Sequence, residues 1–372
     1  MNLKTGTIST SQPRVKFNKK DRPEFFVLLR KRINQHFTDN NISRNSNWSM
    51  WIKTAFMLTL YFLPFTLMVA GVITTGWGVM LTWAIMGFGM AGIGLSVMHD
   101  ANHGSYSSNK HINKTIGFVS NFIGGFPANW IIQHNVLHHS FTNVHGHDED
   151  IDKGVMRFSP DQEHKPMFRY QAYYATFFYG LMTIYWLIAK DFEQLVRYKK
   201  KDLLAGQGLT FKSALAQIIF HKTWYVLLFI VLPLMVVPVS WGFIVGGFLL
   251  MHFICGVILA YIFQPAHVVE ETSFFKPDEK GSVENNWAIH QLRTTSNFAN
   301  DNRVFSWLVG GLNYQIEHHL FPHICHVHYK DLSPIVKQTA EEYGIDYYQH
   351  PTFYAALKSH FTLLNRLGKG EM

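Results

Sequence analysis

Four apolar blocks govern what this chain can fold into, because each is long enough to cross a bilayer as a helix. At a rise of 1.5 Å per residue, residues 55–74 and 79–98 each make a helix about 30 Å long, roughly the hydrocarbon thickness. Only Thr75, Gly76, Trp77 and Gly78 separate them, with no charge, so they read as a tight helical hairpin. Residues 224–239 and 241–263 form a second pair, joined at Ser240 close to Pro238. Trp77, Trp224 and Trp241 stand at block edges, where aromatic side chains favour the headgroup level.

A fifth apolar stretch, 170–189, decides the topology. If it crossed the bilayer, the lysines that follow it and the C-terminal histidines would lie opposite the earlier histidines. Its five tyrosines and one tryptophan suit a helix lying in the interface, so four spans are expected. Residues 116–132, interrupted by Gly124, Gly125 and Pro127, read as a second surface-lying element.

Only 16% of the 372 residues are charged, against the roughly 25% usual in soluble domains. Much of the net charge of +8 lies between Arg14 and Arg44 and in Arg197, Lys199, Lys200 and Lys201. Basic clusters beside spans mark the cytoplasmic face, and no nucleic-acid partner is expected. Cys255 and Cys325 make neither a disulfide framework nor a metal motif. The first residues, with Lys4, Arg14 and Lys16, lack the apolar core of a signal peptide. With no low-complexity linker and no solenoid repeat, the chain divides into a basic cytoplasmic arm (1–47), a membrane domain (48–330) and a cytoplasmic helical tail (331–372). The expected fold is an all-α integral membrane protein. Its four transmembrane helices form two hairpins, and a cytoplasmic helical cap holds a His-rich centre.

The 21 histidines are clustered. His99 and His103 follow the second block; four apart, they share a helix face, as metal ligands or as capping groups. His134 and His138 again share a face, with His139 offset by about 100° towards a second ion. Gln315 stands three residues before the adjacent pair His318 and His319. His267 lies just past the fourth block, a boundary position costly for a histidine unless it is paired or ligating. On the four-span topology all these groups fall on one side. They are too many for one ion, since a zinc site takes about four ligands, so two ions is the simplest count. Neutral imidazole suits iron, zinc, copper and nickel alike. A metal transporter would instead hold ligands inside its spans, where only His252 stands.

His99-x-x-x-His103, His134-x-x-x-His138-His139 and Gln315-x-x-His318-His319 resemble the three histidine boxes of membrane fatty-acid desaturases. The glutamine opening the third box, and the segments 287–295 and 313–322, are similar to the front-end, linoleoyl-CoA delta-6-like subgroup. That subgroup adds a double bond between an existing one and the carboxyl end. The resemblance runs from about Trp48 to Tyr329. It implies two non-haem iron ions on the cytoplasmic side, with O2 and two electrons consumed and water and a double bond formed. Carried over, the ligands are His99, His103, His134, His138, His139, His267, His318 and His319. Gln315 takes the place of a further ligating histidine, and either binds weakly or acts through a water.

The chain lacks the His-Pro-Gly-Gly motif of the fused cytochrome domain found in many front-end desaturases. The resemblance therefore implies a separate electron donor, such as a ferredoxin or a small cytochrome. The arm's basic residues serve either to dock an acidic donor or to attract the membrane surface. Asp100, Asp148, Asp150 and Glu317 are candidates to orient the ligating imidazoles. His145, His147, His290, His323, His326 and His328 are expected at the surface or supporting the ligands. The substrate is a long-chain acyl group, as acyl-CoA or acyl-lipid, in a narrow apolar tunnel with Phe126, Trp130, Phe298 and Tyr314 as candidate lining and Arg293 as a candidate head-group contact. A related membrane di-iron lipid hydroxylase is the alternative reading.

Overall fold

The computed structural model describes residues 15–372. Lys4 and Arg14, part of the expected basic arm, lie outside the described residues.

Four helices are long and apolar enough to cross a membrane, Trp48–Val69, Gly76–Asn102, Phe211–Val236 and Trp241–His267, and the chain is an integral membrane protein. The first span starts where the Asn47 side chain accepts from the Met50 amide, and the second where Thr75 accepts from the Gly78 amide. Small residues set how closely the spans approach: a Cβ on Gly89 would lie 2.7 Å from the Tyr61 amide nitrogen of the first span.

The third span begins at Phe211, thirteen residues before the expected 224, although His221 and Lys222 interrupt the apolar run. Lys222 explains the difference. Its ammonium donates to the carbonyls of Gly124 (2.5 Å) and Trp186 (2.9 Å) and pairs with Asp191, so the charge is neutralised inside the fold and the helix continues through it. The same contact fastens 116–132 and the fifth apolar stretch to the third span. That stretch is a bent pair, Pro166–Gly180 and Met182–Lys200, at 56° to each other. If the pair were one span, the count would be five.

Beyond the spans lies a helical cap. The arm helix, Pro23–Asp39, buries Phe25, Leu29, Ile33 and Phe37 at helical spacing against Leu332, Val336 and Ala340 of Tyr329–Glu342. Two short parallel strand pairs tie the chain ends to the cap loops: Lys16–Phe17 beside Ser282–Val283, and Asn297–Phe298 beside Gln349–His350. The last helix, Phe353–Lys369, packs Leu363, Leu364 and Leu367 under the bent pair's Ala175 and Tyr179.

Candidate metal centre

The second span does not remain α-helical to its end. Ile93–Val97 is a π-helical turn, after which Met98–Asn102 carries His99. A second π-helical segment, Ile132–His138, carries the next box and closes with the His139 amide on the His134 carbonyl. Such i→i+5 turns recur at functional sites. Here the wider turn brings residue 139 round to the face of 134. His139 Nε2 stands 3.3 Å from His134 Nε2 and 3.0 Å from His318 Nε2, while His138 groups with His267 and His319. His138 also keeps its place beside His134, with Asp150 as a third group, so this box reaches both clusters.

The candidate ligands converge. His99, His103, His134 and His318 bring one ring nitrogen each to within 4.8 Å of one another, and so do His138, His267 and His319. His139, His318 and His319 form a third such group joining the two. All are buried except His103, which is partly so. Gln315, one turn before His318, is also buried, and neither its amide nitrogen nor its oxygen has a partner among the described residues.

The outward-facing nitrogens are fixed by the fold. His138 Nδ1 lies 3.1 Å from Asp148, His267 Nδ1 3.0 Å from the Thr294 carbonyl, His318 Nδ1 3.2 Å from the Tyr329 hydroxyl, and His319 Nδ1 2.8 Å from Gln291 Oε1. By contrast Nε2 of His99, His103, His267 and His319 is buried without a hydrogen-bond partner among the described residues. Buried nitrogens are seldom left so, and an imidazole held through one nitrogen with the other turned inward is the usual arrangement of a ligating histidine. Burial first, and then the neighbouring imidazoles, hold His134, His139, His318 and His319 well below the ordinary histidine range. They are neutral at pH 7, the form that binds a metal. The residues present therefore fit two adjacent cations in a nitrogen-rich setting.

Of the expected supporting carboxylates, Asp100 faces His99 Nδ1 at 3.4 Å, and Asp148 and Asp150 both stand by His138. Glu317 points the other way, accepting from Asn297 and from the Tyr347 hydroxyl, and burial pushes its carboxyl up to about 7. His326 and His290 support the centre: His326 Nδ1 lies 2.8 Å from Asp100, and His290 Nε2 lies 2.7 Å from the Thr142 carbonyl. His328 meets the Asn45 carbonyl, His147 lies 3.2 Å from the His145 carbonyl, and His323 is exposed. Arg293 pairs with Glu284 at 2.8 Å.

Sequence reasoning missed Lys53. Buried in the second turn of the first span, its ammonium lies 2.6 Å from His326 Nε2, extending the chain His99, Asp100, His326 by one cation. In the sequence it stands two residues before the first apolar block, where a lysine is ordinary, so no signal marked it. Cys325 was also missed: with Asp100 and His326 it forms a compact group of ligand type, in which His326 Nδ1 already meets Asp100 and its Nε2 meets Lys53.

A narrow cleft of about 20 Å³ lies beside the histidines, lined by Met98, Ile123, Phe126, Trp130 and Trp186 with Gln133, Lys190, Asp191 and Gln194 at its polar side. The Trp130 ring packs on those of His134, His99 and His103, with centroids 4.5, 5.6 and 5.6 Å away. Phe298 instead packs on Phe305 and Phe353, and the Tyr314 hydroxyl donates to the Asn300 carbonyl.

The fatty acid desaturase family model matches residues 75–351. The chain is 34% identical to an sn-1 linoleoyl-lipid 6-desaturase of Synechocystis sp., over 96% of this chain and 99% of the relative. It is 34% identical to an sn-1 linoleoyl-lipid 6-desaturase of Arthrospira platensis, over 91% of each. An acyl-lipid (8-3)-desaturase of Physcomitrium patens is also 34% identical, over 94% of this chain and 72% of the relative. With that match running through every histidine brought together above, the chain belongs to the fatty acid desaturase family.

Proposed function

We propose that the protein is an oxygen-dependent acyl-lipid desaturase of front-end regiochemistry, working with two iron ions. His99, His103, His134 and His318 hold one ion, and His138, His267 and His319 the other. His139 stands between them, and Gln315 adjoins the third box. The observation that carries this reading is the buried pair of imidazole clusters, whose inward Nε2 atoms have no partner among the described residues. The relatives' printed activities on linoleoyl-lipid and acyl-lipid substrates favour a lipid-linked chain over acyl-CoA. The family resemblance supplies iron, since imidazole alone does not choose the metal.

When bound, the two irons supply the activation of O2 needed to take hydrogen from an unactivated methylene, which no side chain achieves. The protein's own residues do the rest. Trp130 and Phe126 hold the alkyl chain beside the histidines and keep water from it. Asp148, Thr294, Tyr329 and Gln291 keep each imidazole oriented and in one tautomer. Residues 48–330 act as the catalytic domain with its active site on the cytoplasmic side, and 1–47 and 331–372 as cytoplasmic arm and tail. Two electrons per turnover come from a separate donor protein.

The test is a fatty-acid profile with double-bond localisation, in cells that express the chain with a competent ferredoxin and are fed linoleate. A new double bond on the carboxyl side of the existing one is expected. Hydroxylated chains would transfer the assignment to a lipid hydroxylase, and an unchanged profile would overturn the reading.

A further inference from the structure

This inference rests on the desaturase reading. The reaction balances as R–CH2–CH2–R′ + O2 + 2 e⁻ + 2 H⁺ → R–CH=CH–R′ + 2 H2O. Oxygen takes up four electrons, two from the alkyl chain and two from outside, and those two must reach a buried centre.

One helix, Trp287–Arg293, lies against the histidines with its first residue partly exposed. Its Trp287 donates from the indole nitrogen to the His139 carbonyl at 3.2 Å. One turn on, Gln291 donates to the same carbonyl at 3.3 Å and meets His319 Nδ1 at 2.8 Å. Outward, the half-buried Trp287 packs edge-on against Phe26 of the arm helix, 5.6 Å between centroids, and Phe26 stacks on Phe321. The Arg30 guanidinium lies over Phe26 at 5.8 Å, and that of Arg44 over Phe37 at 5.5 Å. His323 packs on Phe321, and although part of it is exposed, partial burial and then Arg44 and Arg30 hold it below the usual histidine range. Neither arginine has a carboxylate partner among the described residues. Cations thus rim an aromatic patch whose inner edge is hydrogen-bonded to the metal centre.

We propose that the face formed by Phe26, Arg30, Arg44 and His323 docks a separate, acidic one-electron carrier protein, and that its electrons enter through Trp287, which lies behind that face, and the His139 peptide. Each docking oxidises one reduced carrier by one electron, so two dockings serve one turnover. The positive rim steers an anionic partner and makes its association salt-dependent. A lipid headgroup would use the same charge, but would have no need of the aromatic and hydrogen-bonded path behind it.

The full-length protein in nanodiscs, with plant-type [2Fe–2S] ferredoxin as probe, tests this by binding calorimetry and by stopped-flow reoxidation of reduced ferredoxin. The double variant R30E/R44E is expected to weaken ferredoxin binding about 10-fold or more at low salt. K200E, with a charge change on a different helix, is expected to bind like the wild type. Trp287→Phe is expected to keep its metal and its ferredoxin affinity while reoxidation slows about 10-fold. The proposal is overturned if the wild type does not bind ferredoxin, if R30E/R44E binds it equally, or if K200E weakens it as much. Unchanged reoxidation in the Trp287 variant removes that residue from the route. If R30E/R44E loses phosphatidylserine vesicles but keeps ferredoxin, the patch belongs to the bilayer instead. Ferredoxin binding that follows these variants in a protein forming no double bond would leave the dock standing and sink the desaturase reading alone.

Discussion

Asp148 is fixed before it meets its histidine. Its carboxylate accepts from the amides of Asn143 and Asp150, both at 2.9 Å, and turns the same two oxygens to His138 Nδ1. Asp148→Asn keeps the volume but sets an amide where His138 needs an acceptor. Metal affinity is expected to fall about 10- to 100-fold, read as iron per protein in competition with a chelator; full retention would show that Asp148 does not orient His138. Lys53 acts at one further remove. Lys53→Met removes the only cation at His326 Nε2 among the described residues, frees that ring, and leaves Asp100 less constrained against His99. The expected cost is about 1–3 kcal/mol of stability, for a buried group left unpaired, together with weaker iron retention. A variant that melts and binds iron like the wild type would reduce the chain to packing. These residues mark where the sequence was readable. The boxes stood out because their members lie within a turn or so of each other. Lys53 and Asp100 reach His326 across 273 and 226 residues, and no local spacing announces such a contact.

At the scale of elements, hydropathy located the helices but not their breaks. The first hairpin and the fourth span were legible as unbroken apolar runs, since a bilayer demands length and little else. The π-helical turns at the first two boxes were not, because nothing in Ile93–Val97 or Ile132–His138 sets them apart by composition. Yet they decide how the boxes point. The third span was cut short in the reading because a lysine counts as polar in a sequence, whereas Lys222 is neutralised by groups from two other segments. The bent pair is held by a close approach: a Cβ on Gly256 of the fourth span would stand 2.5 Å from the Tyr179 carbonyl oxygen and 2.8 Å from that of Gly180. Both are backbone atoms at the bend and cannot swing aside. Gly256→Leu is therefore expected to push the pair off the span and to cost about 1–3 kcal/mol or more from overpacking. A lowered melting temperature in detergent is the readout, and an unchanged one would mean that the two elements are not in contact.

For the whole molecule, the number of crossings fixes which parts face which side. Four spans put both chain ends and every histidine box on one face, and put the links at Val72 and Ser240 on the other. If the pair Pro166–Gly180 and Met182–Lys200 crossed as a fifth span, the second half would invert. Ser240 would then join the side of the arm, and the C-terminal helix would leave it. Cysteine labelling separates the two, because Cys255 and Cys325 are buried and give little background. Val72 (67% exposed), Val27 (71%) and Tyr354 (75%) are accessible positions, as is Ser240. In right-side-out spheroplasts of a bacterial host, an impermeant maleimide is expected to label Val72→Cys and Ser240→Cys, and to reach Val27→Cys and Tyr354→Cys only after lysis. Labelling of Tyr354→Cys from outside, with Ser240→Cys protected, would make the bent pair a span and separate the arm from the tail. That outcome conflicts with the packing of the cap, where the arm helix shares one apolar cluster with Leu332 and Val336 from the tail. The labelling pattern therefore tests the helical cap and the cytoplasmic placement of the histidines together.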